Sequence, residues 1–300
     1  MVHTLLRSLQ SWLPRGIRPT PPIDDRLWLR TVAALPFLTA LSSTEQGQLR
    51  TLCGHFLQEK EFHGAHGLKI TDAMALDIAA QACLPLLQIG LPSGESVRDP
   101  LQVLDWYSDF VGIVVQPGAA VAQREVTDGM GVVHRYSEVL AGEAMDRGPV
   151  MLSWQEVARA AELAPAGKNV VIHEFVHKLD MHGIQRGDSP DGAPPLPVRF
   201  LRRPSTAAAR EHWRSVMQAS YSQFREAVAM AERFGGEAPW LDDYAATHPA
   251  EFFAVTSEAY FVSRERFAQE FPDLLPLYDG FFRAARSERT GSAGPLPLPP

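Results

Sequence analysis

Hydrophobic residues recur at helical spacing through the first third of the chain. Apolar positions three or four residues apart predict a helix over 26–41 that kinks or stops at Pro36, because proline cannot donate a helical hydrogen bond. The polar residues 42–44 are typical of a helix start and predict a second helix that extends to Phe56. A third helix, nearly all apolar, is predicted over 73–87, which indicates burial on several sides.

In the middle of the chain the pattern changes to short, β-branched segments bounded by glycine, proline and aspartate. Such segments are typical of strands, and three are predicted, at 110–116, 131–136 and 148–154. Helical spacing then returns in four segments, which cover 154–163, 169–181, 206–234 and 247–286. We therefore expect an α+β fold that is mainly helical, with a small mixed or antiparallel sheet.

Proline-rich segments mark the ends of the predicted domain. Prolines between positions 19 and 22 hold the chain extended and separate residues 1–25 as an N-terminal extension. Residues 26–286 are predicted to form a single domain, interrupted by a Pro/Gly-rich loop at 184–204. Residues 287–300 are rich in glycine and proline and are predicted to be a disordered tail.

Composition and charge narrow the functional classes. The chain has 28 Lys and Arg against 35 Asp and Glu, a formal charge of -7, and no long basic run, so a nucleic-acid partner is not expected. No stretch is apolar for long enough to span a bilayer, and the N-terminal residues lack the pattern of a signal peptide, so no membrane partner is expected. Two cysteines, Cys53 and Cys83, imply no disulfide framework, and a cytoplasmic location is the resulting expectation.

The segment 169–180 contains a motif with explicit chemistry. His173, Glu174 and His177 form an H-E-x-x-H arrangement. Residues four apart on a helix lie one turn above each other, so the two imidazoles can bind one cation while the glutamate reaches a metal-bound water. Imidazole ligands around an open coordination position are typical of catalytic zinc. We therefore expect one Zn²⁺ per chain, with the small sheet beside this helix.

Chance does not readily produce this motif, since the composition predicts roughly 0.02 occurrences of the pattern. The alternative interpretation is a buried amphipathic helix whose histidines are satisfied by hydrogen bonds alone. The remaining faces of the helix are apolar, and two histidines and a glutamate would be costly to bury there without a metal or polar partners. A second metal site at His63 and His66 would need more ligands than the nearby sequence offers.

Spacing alone does not identify the third ligand. Asp180 lies on the face of both histidines and suits a carboxylate that holds an imidazole N–H, although a surface position near the helix end is the alternative. Within 241–261, Glu251 and Glu258 fall two turns apart on a helix that Thr247 is predicted to cap. One of these glutamates should reach the metal, and the alternative for either is an exposed position on the helix.

Beyond these residues, the chain resembles the Mlc titration factor A family, cytoplasmic zinc peptidases of gluzincin type whose catalytic region is similar to the protease domain of anthrax lethal factor. The resemblance covers nearly everything between Leu49 and Pro276, and it is carried by 56–72, 148–154, 169–181 and 243–261. It implies a zincin-like metallopeptidase fold and aminopeptidase-type hydrolysis of peptide substrates. It also implies a regulatory alternative, in which the protein sequesters a transcriptional repressor of sugar uptake.

The resemblance further implies roles for individual residues. His173, His177 and Glu251 would be the zinc ligands, and Glu174 would be the general base. Tyr244 would stabilise the developing oxyanion. Asp180 and Glu258 are then expected to support the ligands rather than to bind the metal.

The strand predicted at 148–153 is expected to bind substrate. It would offer an open edge to an extended peptide through Gly148, Val150 and Leu152, so that the peptide backbone adds as another strand. The physiological substrate, the identity of a protein partner and the oligomeric state are not determined by these residues.

Overall fold

The computed structural model describes residues 22–91, 99–118, 148–182, 190–197 and 200–284, together with the backbone of strands at 120–127, 133–140 and 142–144. The predicted extension therefore lies outside the described residues up to position 21, and the predicted tail lies outside them entirely. Of the loop predicted at 184–204, residues 190–197 and 200–204 are described. The division into extension, single domain and tail stays a prediction.

The protein is mainly helical, as the sequence predicts. The α-helices of the described residues are α1 (Asp25–Ala34), α2 (Pro36–Thr39), α3 (Ser43–Glu59), α4 (Asp72–Cys83), α5 (Trp154–Ala158), α6 (Ala160–Leu163), α7 (Val170–Met181), α8 (Thr206–Phe234), α9 (Pro249–Val262), α10 (Arg264–Glu270) and α11 (Leu274–Phe282). Short 3₁₀ helices occupy Pro100–Tyr107, Ala164–Ala166, Phe200–Arg202 and Asp243–Ala246. The predicted region 247–286 is divided into α9, α10 and α11, with interruptions at Ser263 and at 271–273.

Local sequence signals account for where these helices begin and end. Ser42 and Glu45 form a reciprocal capping box at the start of α3, in which each side chain accepts from the other residue's backbone N–H. Ser205 caps α8, and Gly235 ends it in the left-handed conformation (φ 69°) that glycine adopts without strain. The predicted third helix ends at Cys83 rather than at 87, because the chain tightens into turns after that residue.

The strands are β1 (Glu61–Gly64), β2 (Gly112–Gln116), β3 (Ala120–Thr127), β4 (Val133–Leu140), β5 (Gly142–Ala144) and β6 (Val150–Ser153). One sheet has the order β1-β2-β6-β5, and β3 pairs with β4 in a separate antiparallel ribbon. β1, β2 and β6 run parallel, and β5 runs antiparallel to β6 at one side of the sheet.

The expectation of a mixed or antiparallel sheet is wrong for β1, β2 and β6, which run parallel to one another. Helices separate β1 from β2 in the sequence and return the chain to the same end of the sheet, which makes those strands parallel. The sequence analysis predicts no strand at the position of β1. The four residues of β1 are largely exposed and lack a buried β-branched pattern, so their strand conformation depends on pairing with β2.

The core joins the helices to one face of the sheet. α7 contacts α4 and α9 as well as β5 and β6, so the predicted motif lies beside the sheet. Trp213 on α8 packs with its ring centroid 5.6 Å from that of Phe253 and 5.5 Å from that of Phe281. This dense packing fixes the position of α9 relative to its neighbours. Among the helices that the structure describes, none combines the length and the hydropathy needed to cross a bilayer.

Candidate metal centre

α7 presents its two histidines on one face, and the reason lies in how the helix begins. Asn169 is the N-cap residue, and its side chain accepts from the backbone N–H of Ile172 at 2.9 Å. This cap starts the helical repeat at Val170, so His173 and His177 fall one turn apart. Their ring centroids are 4.8 Å apart. The apolar residues of the other faces, such as Phe175 and Val176, are fully buried.

α9 supplies the acidic side of the site. His248 is its N-cap residue and accepts from the backbone N–H of Ala250, and Pro249 occupies the first turn. The sequence interpretation placed the cap one residue earlier, at Thr247. That hydroxyl instead donates to the carbonyl oxygen of Tyr244 at 2.7 Å, which closes the preceding turn. Glu251 then lies in the first turn of α9, and its side chain is directed toward α7.

Three ligand atoms converge between these helices. Oε2 of Glu251 lies 3.2 Å from Nε2 of His173 and 3.1 Å from Nε2 of His177, and the two nitrogens are 3.1 Å apart. Ligands bound to one tetrahedral zinc at about 2.0–2.1 Å lie roughly 3.3 Å from one another, so these separations fit a zinc ion. Within the residues that the structure describes, this is the one cluster of at least three such side chains close enough to hold a metal. His63 and His66 do not belong to it.

Glu258, two turns after Glu251 on α9, contacts the outer side of the same imidazole. Its Oε1 lies 2.7 Å from Nδ1 of His173, and its Oε2 accepts from the backbone N–H of Asn169. Because Oε2 already accepts an amide proton, the carboxylate is placed to accept the Nδ1 proton of His173 as well. With Nδ1 directed at Glu258, Nε2 is the ring nitrogen of His173 that faces Glu251 and His177.

The histidines and glutamates of this site stabilise one another's charged forms and thereby shift one another's pKa values. Burial opposes ionisation of His173, but hydrogen bonds with Glu251 and Glu258 outweigh it and raise the pKa of the imidazole well above its usual value. Burial also opposes ionisation of Glu251, but its hydrogen bonds with both histidines hold the pKa of this carboxyl well below its usual range. Glu251 is therefore a carboxylate at neutral pH, as a metal ligand must be.

Glu174 lies beside the ligands and is almost completely buried, with 4% of its surface exposed. Burial raises the pKa of its carboxyl to about 7, and the neighbouring His173 and His177 partly oppose this shift. An acid with a pKa near neutrality can both accept and return a proton under physiological conditions. The pKa of Glu174 and its place beside the three ligand atoms therefore suit proton transfer.

Tyr244 approaches the site from the turn that precedes α9. Its ring centroid is 6.3 Å from that of His173. Asp242 caps the 3₁₀ turn by accepting from the backbone N–H of Tyr244 at 3.0 Å, and it also pairs with Lys168. Because Lys168 immediately precedes the cap of α7, this ion pair connects the start of the metal helix to the turn that carries the tyrosine.

Asp180 does not contact an imidazole in the described hydrogen bonds, contrary to the expectation from its face of the helix. Its Oδ2 accepts from the backbone N–H of Gly192 at 2.9 Å, because the loop at 190–193 lies over the end of α7. Gly192 adopts a positive φ of 74°, and a Cβ there would lie 2.7 Å from the carbonyl oxygen of Pro249. Burial raises the pKa of Asp180 to about 7 against these hydrogen bonds. Of the two acids expected to support the ligands, Glu258 is the one that contacts an imidazole.

The predicted substrate strand is also placed differently. β6 was expected to offer an open edge, but β5 pairs with it through the register Gly142 to Leu152 and Ala144 to Val150. The side chains of Val150 and Leu152 are fully buried, and Gly148 precedes the strand. The physical reason is that β6 lies inside the sheet between β2 and β5, so the outermost strand on this side is β5.

Two polar residues around the site were missed by the sequence interpretation. Gln81 on α4 and Lys178 on α7 are buried, with 1% and 0% of their surfaces exposed. Lys178 donates to the carbonyl oxygen of Gly148 at 3.1 Å, which connects α7 to the approach to β6. Each residue lies in a helical segment that is mainly apolar, so the pattern of the segment predicts only burial. A polar residue at a buried position of such a segment is the signal that could have identified them.

The chain is similar to several known proteins. Residues 9–283 match the family described as Glucose-regulated metallo-peptidase M90. The protein called Mlc titration factor A from Serratia proteamaculans is 35% identical over 250 residues, which cover 83% of this chain and 84% of the relative. The protein of that name from Klebsiella pneumoniae is 32% identical over 250 residues, covering 83% of each chain. The one from Salmonella arizonae is 31% identical over 265 residues, covering 88% of this chain and 93% of the relative.

The resemblance seen in the sequence is thereby confirmed, because both the family match and these relatives extend over most of the chain. The two helices that carry the ligands lie well inside the matched residues. This chain belongs to the glucose-regulated M90 metallopeptidase family.

Proposed function

We propose that the protein is a zinc-dependent peptidase of the gluzincin type, with Glu174 as its general base. The observation that carries the proposal is the convergence of Nε2 of His173, Nε2 of His177 and Oε2 of Glu251 within 3.2 Å of one another. Two neutral imidazoles and one carboxylate are a ligand set that catalytic zinc uses, with one position left for a reactant. Membership of a metallopeptidase family supports the same chemistry.

Different residues of the chain would have separate roles in hydrolysis. Zinc, when bound, supplies Lewis-acid chemistry that polarises a carbonyl and acidifies water. Glu174 accepts the proton of the attacking water, and its pKa of about 7 allows it to pass that proton to the departing amine. The hydroxyl of Tyr244 donates a hydrogen bond to the oxygen that becomes negative as the carbonyl is attacked.

The substrate would be an extended peptide that pairs with the sheet. β5 is the outermost strand on the side of the sheet that α7 contacts, and it replaces the strand first predicted for this role. An extended chain lying along β5 would gain backbone hydrogen bonds, as in other cases of strand addition.

We further propose aminopeptidase specificity, for which the support is the family resemblance. The test compares aminoacyl chromogenic substrates carrying a free amine with the same substrates after acetylation of that amine. An aminopeptidase should hydrolyse the free amines at least tenfold faster, since it must bind the ammonium group. Equal rates would leave a zinc peptidase but contradict the aminopeptidase assignment.

The main test is the substitution Glu174→Gln. It removes the base but keeps the shape of the side chain, so kcat should fall by about 10²–10⁴-fold while the bound zinc stays at one per chain. Metal analysis of the purified protein and peptide hydrolysis measure the two quantities separately. Glu226→Gln, an exposed glutamate on α8, is the matched control and should keep both properties. Full hydrolysis by the Glu174→Gln protein would contradict its role as the base.

A second variant tests the oxyanion role. Tyr244→Phe keeps the ring near His173 but removes the hydroxyl, so kcat should fall by about 10²–10³-fold with zinc content unchanged. A rise in KM with unchanged kcat would instead indicate that Tyr244 binds substrate without stabilising the transition state.

A regulatory role is the second candidate. The relatives are named for titration of Mlc, and this name favours the proposal that the present chain also binds a transcriptional repressor protein. Binding of this kind requires a surface and not a reaction. A pull-down of the purified repressor with the Glu174→Gln variant should retain binding if the surface acts independently. Binding that disappears together with catalysis would contradict an independent role.

A further inference from the structure

A chain of hydrogen bonds connects the metal centre to α4, which packs against α7. Nδ1 of His173 contacts Oε1 of Glu258, and Oε2 of Glu258 accepts from the backbone N–H of Asn169. Nδ2 of Asn169 then donates to Oε1 of Gln81 at 2.7 Å. Nε2 of Gln81 donates to the carbonyl oxygen of Asp77 within α4, at 2.9 Å. The chain therefore reaches from a metal ligand to a helix that contributes no ligand.

Asn169 is held from two directions. Its Oδ1 caps α7 by accepting from Ile172, while its Nδ2 is bound to Gln81. With both ends of the amide engaged, the side chain has one orientation. The backbone N–H of the same residue is thereby aimed at Glu258. The cap of α7 and the orientation of Glu258 consequently depend on the same residue.

The surroundings make this chain costly to break. Asn169 and Gln81 are each 1% exposed, and Glu258 is 6% exposed, so water does not readily replace a lost partner. Polar chains of this kind act as a unit when every member is satisfied. The carboxylate has two protein contacts that fix its plane, and that plane fixes the ring of His173.

We propose that Gln81 and Asn169 are positioning residues of the metal centre, which orient Glu258 and through it the Nε2 atom of His173. The inference rests on the proposed zinc site and deepens it. It assigns part of the metal affinity to α4 through Gln81, which lies 88 positions before Asn169 and is not one of the three candidate ligands. Neither residue contacts the metal ligands with its own side chain.

The two sides of the link can be broken separately. Asn169→Ser keeps a residue that caps helices well but removes the amide that reaches Gln81. Gln81→Met keeps the length of the side chain and removes its acceptor. The dissociation constant for zinc, measured by competition with a chromophoric chelator, should rise about threefold to tenfold in each variant. This is less than the loss of about 10–100-fold typical when a residue in direct contact with a ligand is removed.

The double variant provides the sharper readout. If the two residues act through one hydrogen bond, the combined substitution should weaken zinc binding no more than the stronger single substitution. Additive losses would contradict a shared action. Unchanged zinc affinity in both single variants would also overturn the proposal, and would show that orientation of Glu258 does not depend on α4.

A control separates positioning from general destabilisation. Leu76→Val removes buried volume from α4 without touching the hydrogen-bond chain, since Leu76 is 1% exposed and apolar. It should lower the denaturation midpoint of the metal-free protein while leaving zinc affinity within twofold of the wild-type value. An equal loss of zinc affinity in Leu76→Val would overturn the proposal. If the wild-type protein binds no zinc, both the proposed function and this inference are wrong. If the wild-type protein binds zinc and the variants bind it equally well, only this inference is wrong.

Discussion

α7 and α9 together form the candidate metal centre, but they differ in how their polar residues are arranged. In α7, the polar groups His173, Glu174 and His177 stand close together in sequence, and a single helical turn brings the two imidazoles onto one face. In α9, Glu251 and Glu258 are seven residues apart in a mainly apolar helix.

The two glutamates of α9 lie on the same face of the helix, but their side chains differ in solvent exposure. The side chain of Glu251 is 20% exposed and meets the Nε2 atoms of both histidines, whereas that of Glu258 is 8% exposed and meets Nδ1 of His173. The same ring is thus contacted on opposite sides by two acids of one helix. The lesson is that spacing assigns residues to a face, while the crossing of two helices decides which acid reaches the metal.

The largest effect should come from the acid at the ligand position. Glu251→Ala removes one of three ligands, so bound zinc should fall below about one tenth of a molar equivalent after dialysis, with activity lost in parallel. Metal analysis of the dialysed protein measures this directly. Near-stoichiometric zinc in this variant would show that another group completes the site. The distinction between Glu251 as a ligand and Glu258 as its support would then be wrong.

The other acid of α9 should have a smaller effect. Glu258→Gln keeps the size of the side chain but loses the charge that holds Nδ1 of His173, so zinc should still bind with an affinity lower by about 10–100-fold. Chelator competition measures the dissociation constant. Complete loss of zinc, as severe as in Glu251→Ala, would mean that the two glutamates do not have separate roles.

The smallest effect concerns α7, which carries a buried acid that contacts no ligand. The folded-state pKa of Asp180 is raised from 3.8 to about 7, so the folded protein binds more protons than the unfolded protein between those values. The stabilising contribution of the neutral carboxyl is therefore fully present below pH 3.8 and is lost as the pH rises through about 7.

Asp180→Asn tests this assignment because it keeps an acceptor for Gly192 without a titrating group. Urea denaturation of the metal-free protein should show the wild-type midpoint falling between about pH 4 and pH 7, and the fall should be smaller in the variant. Identical pH profiles for the two proteins would show that Asp180 does not titrate in this range.

Helix positions were largely predictable because their signals are local. The cap at Asn169 and the glycine end at Gly235 follow from side-chain and backbone preferences of single residues. β1 and the direction of the central strands were not predictable in this way. A short exposed strand such as 61–64 gains its hydrogen bonds from a partner strand about fifty residues away in the sequence. The residues next to 61–64 give no local signal that predicts this pairing.

The site shows the same division. The pair His173 and His177 follows from a four-residue spacing, whereas Asp180 has the right face for an imidazole contact and yet bonds to Gly192. A loop that arrives from elsewhere in the chain competes for its carboxylate. Gln81 could not be connected to the motif at all, since 88 residues separate it from Asn169.

By itself, the sequence determined where the helices form and which of them carries imidazoles at metal-binding spacing, because capping and the helical repeat act over a few residues. The tertiary structure alone decided that Glu251 meets both Nε2 atoms, that Glu258 holds the opposite nitrogen of His173, and that β5 rather than β6 is the outer strand. The physical reason is that these contacts depend on how distant segments pack against one another. That packing is set by burial of the whole core and leaves no local pattern.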